Sequence, residues 1–267
     1  MSHISFSELK EWNNCPWKHK LIYIEKLKKF KGNEYTAFGT ALHTICENLV
    51  TLDKSKENSD YNPNEDFQEQ FLNNLKKLKE ATPDYEFKSE LISSMRSQGD
   101  YIIQFILPAL QSYFGKFELF DVEEQLYEDI PGQEQKFKGF IDLIIFTPED
   151  KKYHIIDWKT CSWGWDSRQK ADKITTYQLT LYKHFWCEKH NKDYGDVLTH
   201  FALLKRTAKK NNVEIFKVSN GTKKIENALK LLNKSLYNIN KNNFIKNRLS
   251  CHGRYGMCEF YRSEHCK

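Results

Sequence analysis

Asp142 and Asp157 are the residues that first suggest chemistry. Each is a lone carboxylate inside an apolar run, Phe137 to Phe146 and Tyr153 to Trp158. The runs are rich in Ile, Phe and Leu and are separated by a Pro-Glu-Asp-Lys-Lys turn, a pattern that predicts a β-hairpin. An ionised carboxylate among buried neighbours is expensive unless something compensates it. A divalent cation does so, because hard ions such as magnesium take oxygen ligands from one or two carboxylates and keep several waters. Lys159 lies two residues beyond Asp157, so strand alternation puts both on one face and Trp158 on the other. An acid and a base then stand side by side. Two partly exposed acids at sheet ends are the alternative for so short a pattern.

The fuller pattern is Gly139-x-x-Asp142, a turn, then Ile155-Ile156-Asp157-Trp158-Lys159. It resembles the PD-(D/E)XK nuclease superfamily. The resemblance implies that Asp142 and Asp157 hold a metal ion and that Lys159 positions or activates the attacking water, with Asp rather than Glu at the second acidic position.

The elements that must position these groups begin at the N-terminus. Ser5-x-x-Glu8 is a capping box for a short helix. A break at Cys15-Pro16 and a second helix through Lys28 follow. Phe38, Leu42, Ile45 and Leu49 then fall at helical spacing as a buried stripe, with His43 beside it and Glu47 one turn later as a surface acid or a partner for the imidazole. The Ser-x-Ser-x-Leu start, Trp12 and Cys15-Pro16 resemble the RecB-like branch, which includes AddB and the CRISPR-associated exonucleases. In that branch a Gly-x-x-x-His helix precedes the hairpin, and Gly39 to His43 matches it. The resemblance implies that His43, Asp142, Asp157 and the Trp158 carbonyl hold Mg2+ or Mn2+. It also matches Gln178 and Tyr182, four residues apart on a helix from about Ala171 to His190, to the Gln-x-x-x-Tyr motif after the lysine. They would align the strand or support Lys159.

Residues 52–63 read as an exposed loop. Two or three helices follow from Asn64 to Phe117, broken near Thr82-Pro83-Asp84, with Phe67, Phe71, Leu75, Leu78, Leu91, Met95, Ile102, Phe105 and Leu110 as core. A strand is expected over Glu118 to Ile130, where Glu124 is a minor site candidate beside its reading as an exposed acid. Trp163, Trp165, Arg168, Lys170 and Lys173 interleave rings and cations, as a single-strand track would; the alternative is a loop packed on the core. Strands at Asp196 to Lys205 and Val213 to Val218 and a helix from Lys223 to Ile239 close the domain. The expected fold is α/β, a central mixed β-sheet flanked by helices with a restriction-endonuclease-like core. It is expected as one nuclease domain over 1–267: an N-terminal helical region (1–117), the sheet core (118–219), and a C-terminal helix and cysteine tail (220–267).

The chain has seven cysteines. Cys251, Cys258 and Cys266 lie in the tail with six and seven residues between them, and Cys15 makes four, the number a [4Fe-4S] cluster requires. One cysteine before the core and three after it resembles the iron-sulfur RecB-like nucleases, although the last three are spaced more widely here. Zinc, with His252 and His265 available, and no metal at all are the other readings. Cys46, Cys161 and Cys187 read as buried thiols.

A net charge of +5, from 41 basic and 36 acidic residues, permits nucleic-acid binding without requiring it. Mean hydropathy is −0.72, no apolar run approaches a membrane span, and the start lacks signal-peptide order. The expectation is a cytoplasmic protein that does not act at a membrane. The expected partners are DNA, as single strands or duplex ends, and a helicase or recombination protein. The resemblance, carried by these motifs in their joint order, implies a metal-dependent DNA exonuclease of repair, recombination or replication. A non-catalytic DNA-binding module and a restriction-type endonuclease are the rivals.

Overall fold

The computed structural model describes residues 2–27, 30–55, 60–253 and 256–267. Strand β1 (His3–Ser5) leads into helix α1 (Phe6–Asn14), capped by Ser5, whose hydroxyl accepts the Glu8 N–H. Pro16 forces Cys15 into extended backbone, which ends α1, and then suits the first turn of α2 (Pro16–His19). A π-turn (Lys20–Ile24) follows, and Lys26 at φ 58° ends the helical run. The second helix therefore stops short of its expected end, and Lys28 itself lies outside the described residues.

Helix α3 (Glu34–Ser55) extends beyond Leu52, where a loop is expected; residues 56–59 of that loop lie outside the described residues. Helices α4 (Pro63–Ala81), α5 (Ser89–Ile103) and α6 (Ile106–Phe114) follow, with Pro83 breaking the run as expected. Strands β2 (Glu118–Asp129), β3 (Lys136–Thr147) and β4 (Lys152–Cys161) precede α7 (Ser167–Lys170) and α8 (Lys173–His190). Strands β5 (Val197–Lys205) and β6 (Val213–Val218), helix α9 (Thr222–Asn240) and the short strands β7 (His252–Gly253) and β8 (Gly256–Met257) complete the chain. Among the described residues no helix is long and apolar enough to cross a membrane.

Two compact units are formed. The larger comprises Gly32–Gln125 and Phe140–Asn220. Its sheet is mixed: β3 and β4 are antiparallel, β4 and β5 parallel with α8 in the crossover, and β5 and β6 antiparallel. Alternate residues of three strands, Leu143 and Ile145, Ile156 and Trp158, Ala202 and Leu204, join the core made by α3 to α6. Helix α8 packs on β4 and β5. In the helical core, Phe38, Phe67 and Phe71 are buried with ring centroids 5.6–5.8 Å apart. Gly99 admits Phe67, since a Cβ there would lie 2.1 Å from its ring.

A buried polar chain runs from β3 into β5. The Thr147 hydroxyl is 2.8 Å from His154 Nε2, and His154 Nδ1 is 3.0 Å from His200 Nε2. Phe114 lies edge-on against both imidazoles. Burial pushes His154 down to about 4 and His200 to about 3, so both fold neutral, whereas the unfolded chain takes up protons near 6.5. Stability is therefore fully present above pH 6.5 and falls as pH drops towards 4. The loss is up to about 1.4 kcal/mol per pH unit for each histidine. Denaturant midpoints measured between pH 7 and 5 should show this slope. His200→Phe should flatten it, and an unchanged slope would place the proton uptake elsewhere.

The smaller unit comprises Met1–Lys31, Leu126–Gly139 and Gly221–Lys267. Here β1 pairs in parallel with the first residues of β3, His3 with Lys136 through Ser5 with Lys138, and α1 packs on α9.

Candidate active site

The hairpin register brings the two acids together. Leu143 pairs with Ile156 at the end of the paired hairpin. Asp142 and Asp157 each come one residue beyond, on the face that alternation turns away from Leu143 and Ile156, close enough for the charge of Asp157 to act on Asp142. Both are buried, Asp157 to 2% exposure. Asp142 Oδ2 accepts the Trp158 N–H at 2.7 Å. Lys159 Nζ lies 2.6 Å from Asp157 Oδ2, the same-face placement that alternation predicts. Helix α8 supplies Gln178, whose amide donates to Asp157 Oδ1 at 2.7 Å and to the Tyr182 hydroxyl at 3.3 Å one helical turn on. Helix α3 supplies His43, with Nδ1 3.7 Å from Asp142 Oδ2 and a hydrogen bond to the Trp158 main chain. Gly39 allows that approach, because a Cβ there would already be 3.1 Å from Thr160 Oγ1. His43, Asp142, Asp157, Trp158, Lys159, Gln178 and Tyr182 are thus gathered in one place.

The electrostatics follow from burial. Asp142 is pushed well above the usual carboxylate range, first by desolvation and then by the charge of Asp157, against the opposing pull of Lys159 and the Trp158 N–H. Burial lowers His43, leaving it a neutral imidazole with a lone pair. Burial and then Asp157 raise Tyr182, which stays a protonated phenol. Asp157 Oδ2 makes no aligned hydrogen bond despite its lysine neighbour. Two buried carboxylates, one with such an oxygen, beside a neutral imidazole are a donor set that suits a hard divalent cation. Among the described residues no three His, Cys, Asp or Glu side chains are preassembled around one point; Lys159 holds the oxygen that a cation would share.

Glu124 is not part of this group, nor is it an exposed acid. Its carboxylate accepts from Trp186 Nε1 at 2.7 Å, Lys189 Nζ at 2.7 Å and His190 Nε2 at 2.6 Å. The preceding residue is the one near the site. Glu123 adopts φ 50°, which interrupts the alternation of β2. It hydrogen-bonds Glu47, and its charge acts on Asp142. Burial, then the charge of Glu123, raises Glu47 to about 7. No feature of the strand's composition signals that kink.

The expected single-strand track is only partly a surface. Trp165 packs edge-on against Phe201 and Phe216, Lys170 pairs with Glu214, and Lys173 lies over the Tyr177 ring. Trp163, Arg168 and Lys173 remain exposed.

In the smaller unit Cys15, Cys251, Cys258 and Cys266 line one cavity of about 20 Å³ with Trp17, Leu21 and Phe260. His252 and His265 do not line it: His252 packs on Tyr261, and the His265 ring lies 3.4 Å from Glu264. Cys46 and Cys187 are buried and Cys161 half-buried.

No curated protein matches the chain. Among solved structures it is similar to a Eubacterium rectale protein described as a "putative exonuclease", with TM-score 0.60 and 12% identity over 98% of this chain and 88% of that one. At this identity the likeness is one of fold. A structure of a protein named SSO0001 aligns with 56% of this chain and 67% of its own at TM-score 0.32 and 16% identity. The family model described as the PD-(D/E)XK nuclease superfamily matches residues 3–263, a span that takes in the acid pair, its lysine, His43 and the Gln178–Tyr182 turn. The chain belongs to the PD-(D/E)XK nuclease superfamily.

Proposed function

We propose that the protein is a metal-dependent DNA exonuclease of the RecB-like branch that hydrolyses phosphodiester bonds. The observation that carries this is the pair of buried carboxylates, Asp142 and Asp157, with Lys159 2.6 Å from one of them. His43, Asp142, Asp157 and the Trp158 carbonyl would hold Mg2+ or Mn2+. When bound, the ion would lower the pKa of water and offset charge developing on the phosphate. Lys159 orients the attacking water, which gives a proton to solvent as its oxygen bonds to phosphorus, while the bridging P–O bond breaks and the departing oxygen takes up a proton from solvent. Gln178 fixes the Asp157 carboxylate, and Tyr182, which burial keeps protonated, can hold Gln178 or give a hydrogen bond to a phosphate oxygen. The test is digestion of linear and covalently closed circular DNA with magnesium or manganese. Linear DNA should be degraded from its ends and closed circles spared. Cutting of the circles would make the protein an endonuclease.

The cysteine cavity supports a second assignment, a [4Fe-4S] cluster held by Cys15, Cys251, Cys258 and Cys266, with zinc as the alternative. The four thiols line one cavity with Trp17, Leu21 and Phe260 and with the cations Lys18, Lys246 and Arg248. They are not gathered around one point, so either metal would have to draw them together. The cluster would fasten the N-terminal helices to the tail. Anaerobically purified protein should absorb near ~400 nm and carry about four irons per chain, and Cys266→Ser should lose both. Colourless protein holding zinc would overturn the cluster.

A further inference from the structure

Trp163 is presented by a loop whose backbone is pinned on both sides. Of the six tryptophans, Trp12, Trp158 and Trp186 are buried and Trp17 and Trp165 half-buried, whereas Trp163 is 76% exposed. Before it, the Cys161 carbonyl accepts the Arg206 N–H at 2.8 Å. The Ser162 carbonyl accepts the Thr207 N–H at 2.7 Å and the Thr207 hydroxyl at 3.0 Å. After it, Gly164 turns at φ 120°, a conformation open to glycine without strain. Trp165 then anchors against Phe201 with ring centroids 5.1 Å apart. The chain holds its neighbours in place and sends this one ring outward.

A second ring and a cation share the rim. The Arg206 guanidinium lies 5.1 Å from the centroid of Tyr35, and its Nη atoms reach Gln98 Oε1 at 2.8 Å and Ser162 Oγ at 3.5 Å. Tyr35 is 50% exposed. A guanidinium has five N–H donors, so these bonds leave others for a phosphate. Lys209 and Lys210 are exposed in the same turn.

The rim continues the active site. Tyr35, Gly39 and His43 follow one another at four-residue intervals on α3 and meet β4 in reverse order. His43 bonds the Trp158 main chain, Gly39 abuts Thr160, and Tyr35 reaches Ser162 through Arg206. Trp163 is four residues beyond Lys159, at most about 13 Å along an extended chain.

We propose that Trp163, with the Tyr35–Arg206 pair, is a stacking platform for a single-stranded nucleic acid, holding it a few nucleotides from Asp142 and Asp157. This rests on the nuclease reading and narrows its substrate to single strands. Ring faces stack on any unpaired base while interleaved cations follow the phosphates, and bases paired inside a duplex offer no free face.

The test is binding of labelled oligo(dT), oligo(U) and a blunt duplex of matched length to the full chain in chelator, read by fluorescence anisotropy, followed by cleavage with magnesium or manganese. Trp163→Ala should weaken binding of oligo(dT), oligo(U) or both by about tenfold or more. Trp163→Phe should restore most of it, and duplex affinity should not change. Leu249→Ser, at an exposed apolar residue elsewhere, should bind as wild type. A loss on oligo(dT) alone identifies DNA, and a loss on both identifies the chemistry the two strands share. Equal single-strand affinity in wild type and Trp163→Ala, or an equal loss on the duplex, would overturn the platform. Cleavage separates the two claims. If wild type and Trp163→Ala bind and cut single strands alike, the platform falls and the nuclease stands. If wild type binds single strands through Trp163 and cuts nothing with either metal, the platform stands and the nuclease falls.

Discussion

Asp157→Ala and Lys159→Met are each expected to lower DNA cleavage about a thousandfold or more while leaving the fold and most DNA affinity intact. Asp157 is tied from two sides, by Gln178 at 2.7 Å on one oxygen and Lys159 at 2.6 Å on the other. Removing it takes away a cation ligand and frees both partners, and electrostatic and proton-transfer groups of this kind are each worth about a hundredfold to ten-thousandfold. Lys159→Arg should not rescue, because a planar guanidinium cannot replace a compact point charge in a half-buried slot. Gln178→Ala acts only through Asp157, so a smaller loss of about 10–100-fold is expected. Single-turnover cleavage of labelled DNA gives the rates, and circular dichroism checks the fold. Cutting by Asp157→Ala or Lys159→Met at the wild-type rate would remove the mechanism.

Asp142→Asn is expected to make the metal-free protein more stable and to remove its response to metal. The wild-type carboxyl is held well above the usual range by burial and by Asp157 across the hairpin. Both carboxylates ionise together only at a cost. Asparagine keeps the oxygen that accepts the Trp158 N–H at 2.7 Å and removes the charge. The metal-free thermal midpoint should therefore rise by a few degrees, which corresponds to about 1–2 kcal/mol at this chain length. Manganese at about a hundred times its dissociation constant should stabilise wild type by about 2.7 kcal/mol and Asp142→Asn by far less. A variant that is no more stable without metal, or that gains as much from manganese, would show that the two acids neither repel nor share an ion.

The central hairpin was legible because its pattern is local. Two apolar runs and a turn set the pairing, and the pairing alone brings Asp142 towards Asp157 with Lys159 on the same face. Helical spacing puts Gln178 and Tyr182 on one side, but only the family resemblance tied that pair, and the Gly39-x-x-x-His43 helix, to the site. What escaped depends on partners distant in sequence or on backbone that composition does not announce. The left-handed residue at Glu123 turned Glu124 away to Trp186, Lys189 and His190. Trp165 and Lys170 look like a binding track until Phe216 and Glu214 of β6 arrive to cover them. Tyr35 and Arg206 were missed because they lie far apart in sequence and meet only where α3 crosses the end of β4. The second helix ended early at the left-handed Lys26. The four cysteines line one cavity, while His252 and His265 stay outside it.

The most direct measurement is degradation of end-labelled single- and double-stranded DNA by wild type and Asp142→Ala side by side, with magnesium, with manganese and with chelator. The account predicts cleavage by wild type with either metal, none in chelator, and none by Asp142→Ala under any condition. Cleavage by wild type that persists in chelator, or cleavage by Asp142→Ala at the wild-type rate, would contradict it.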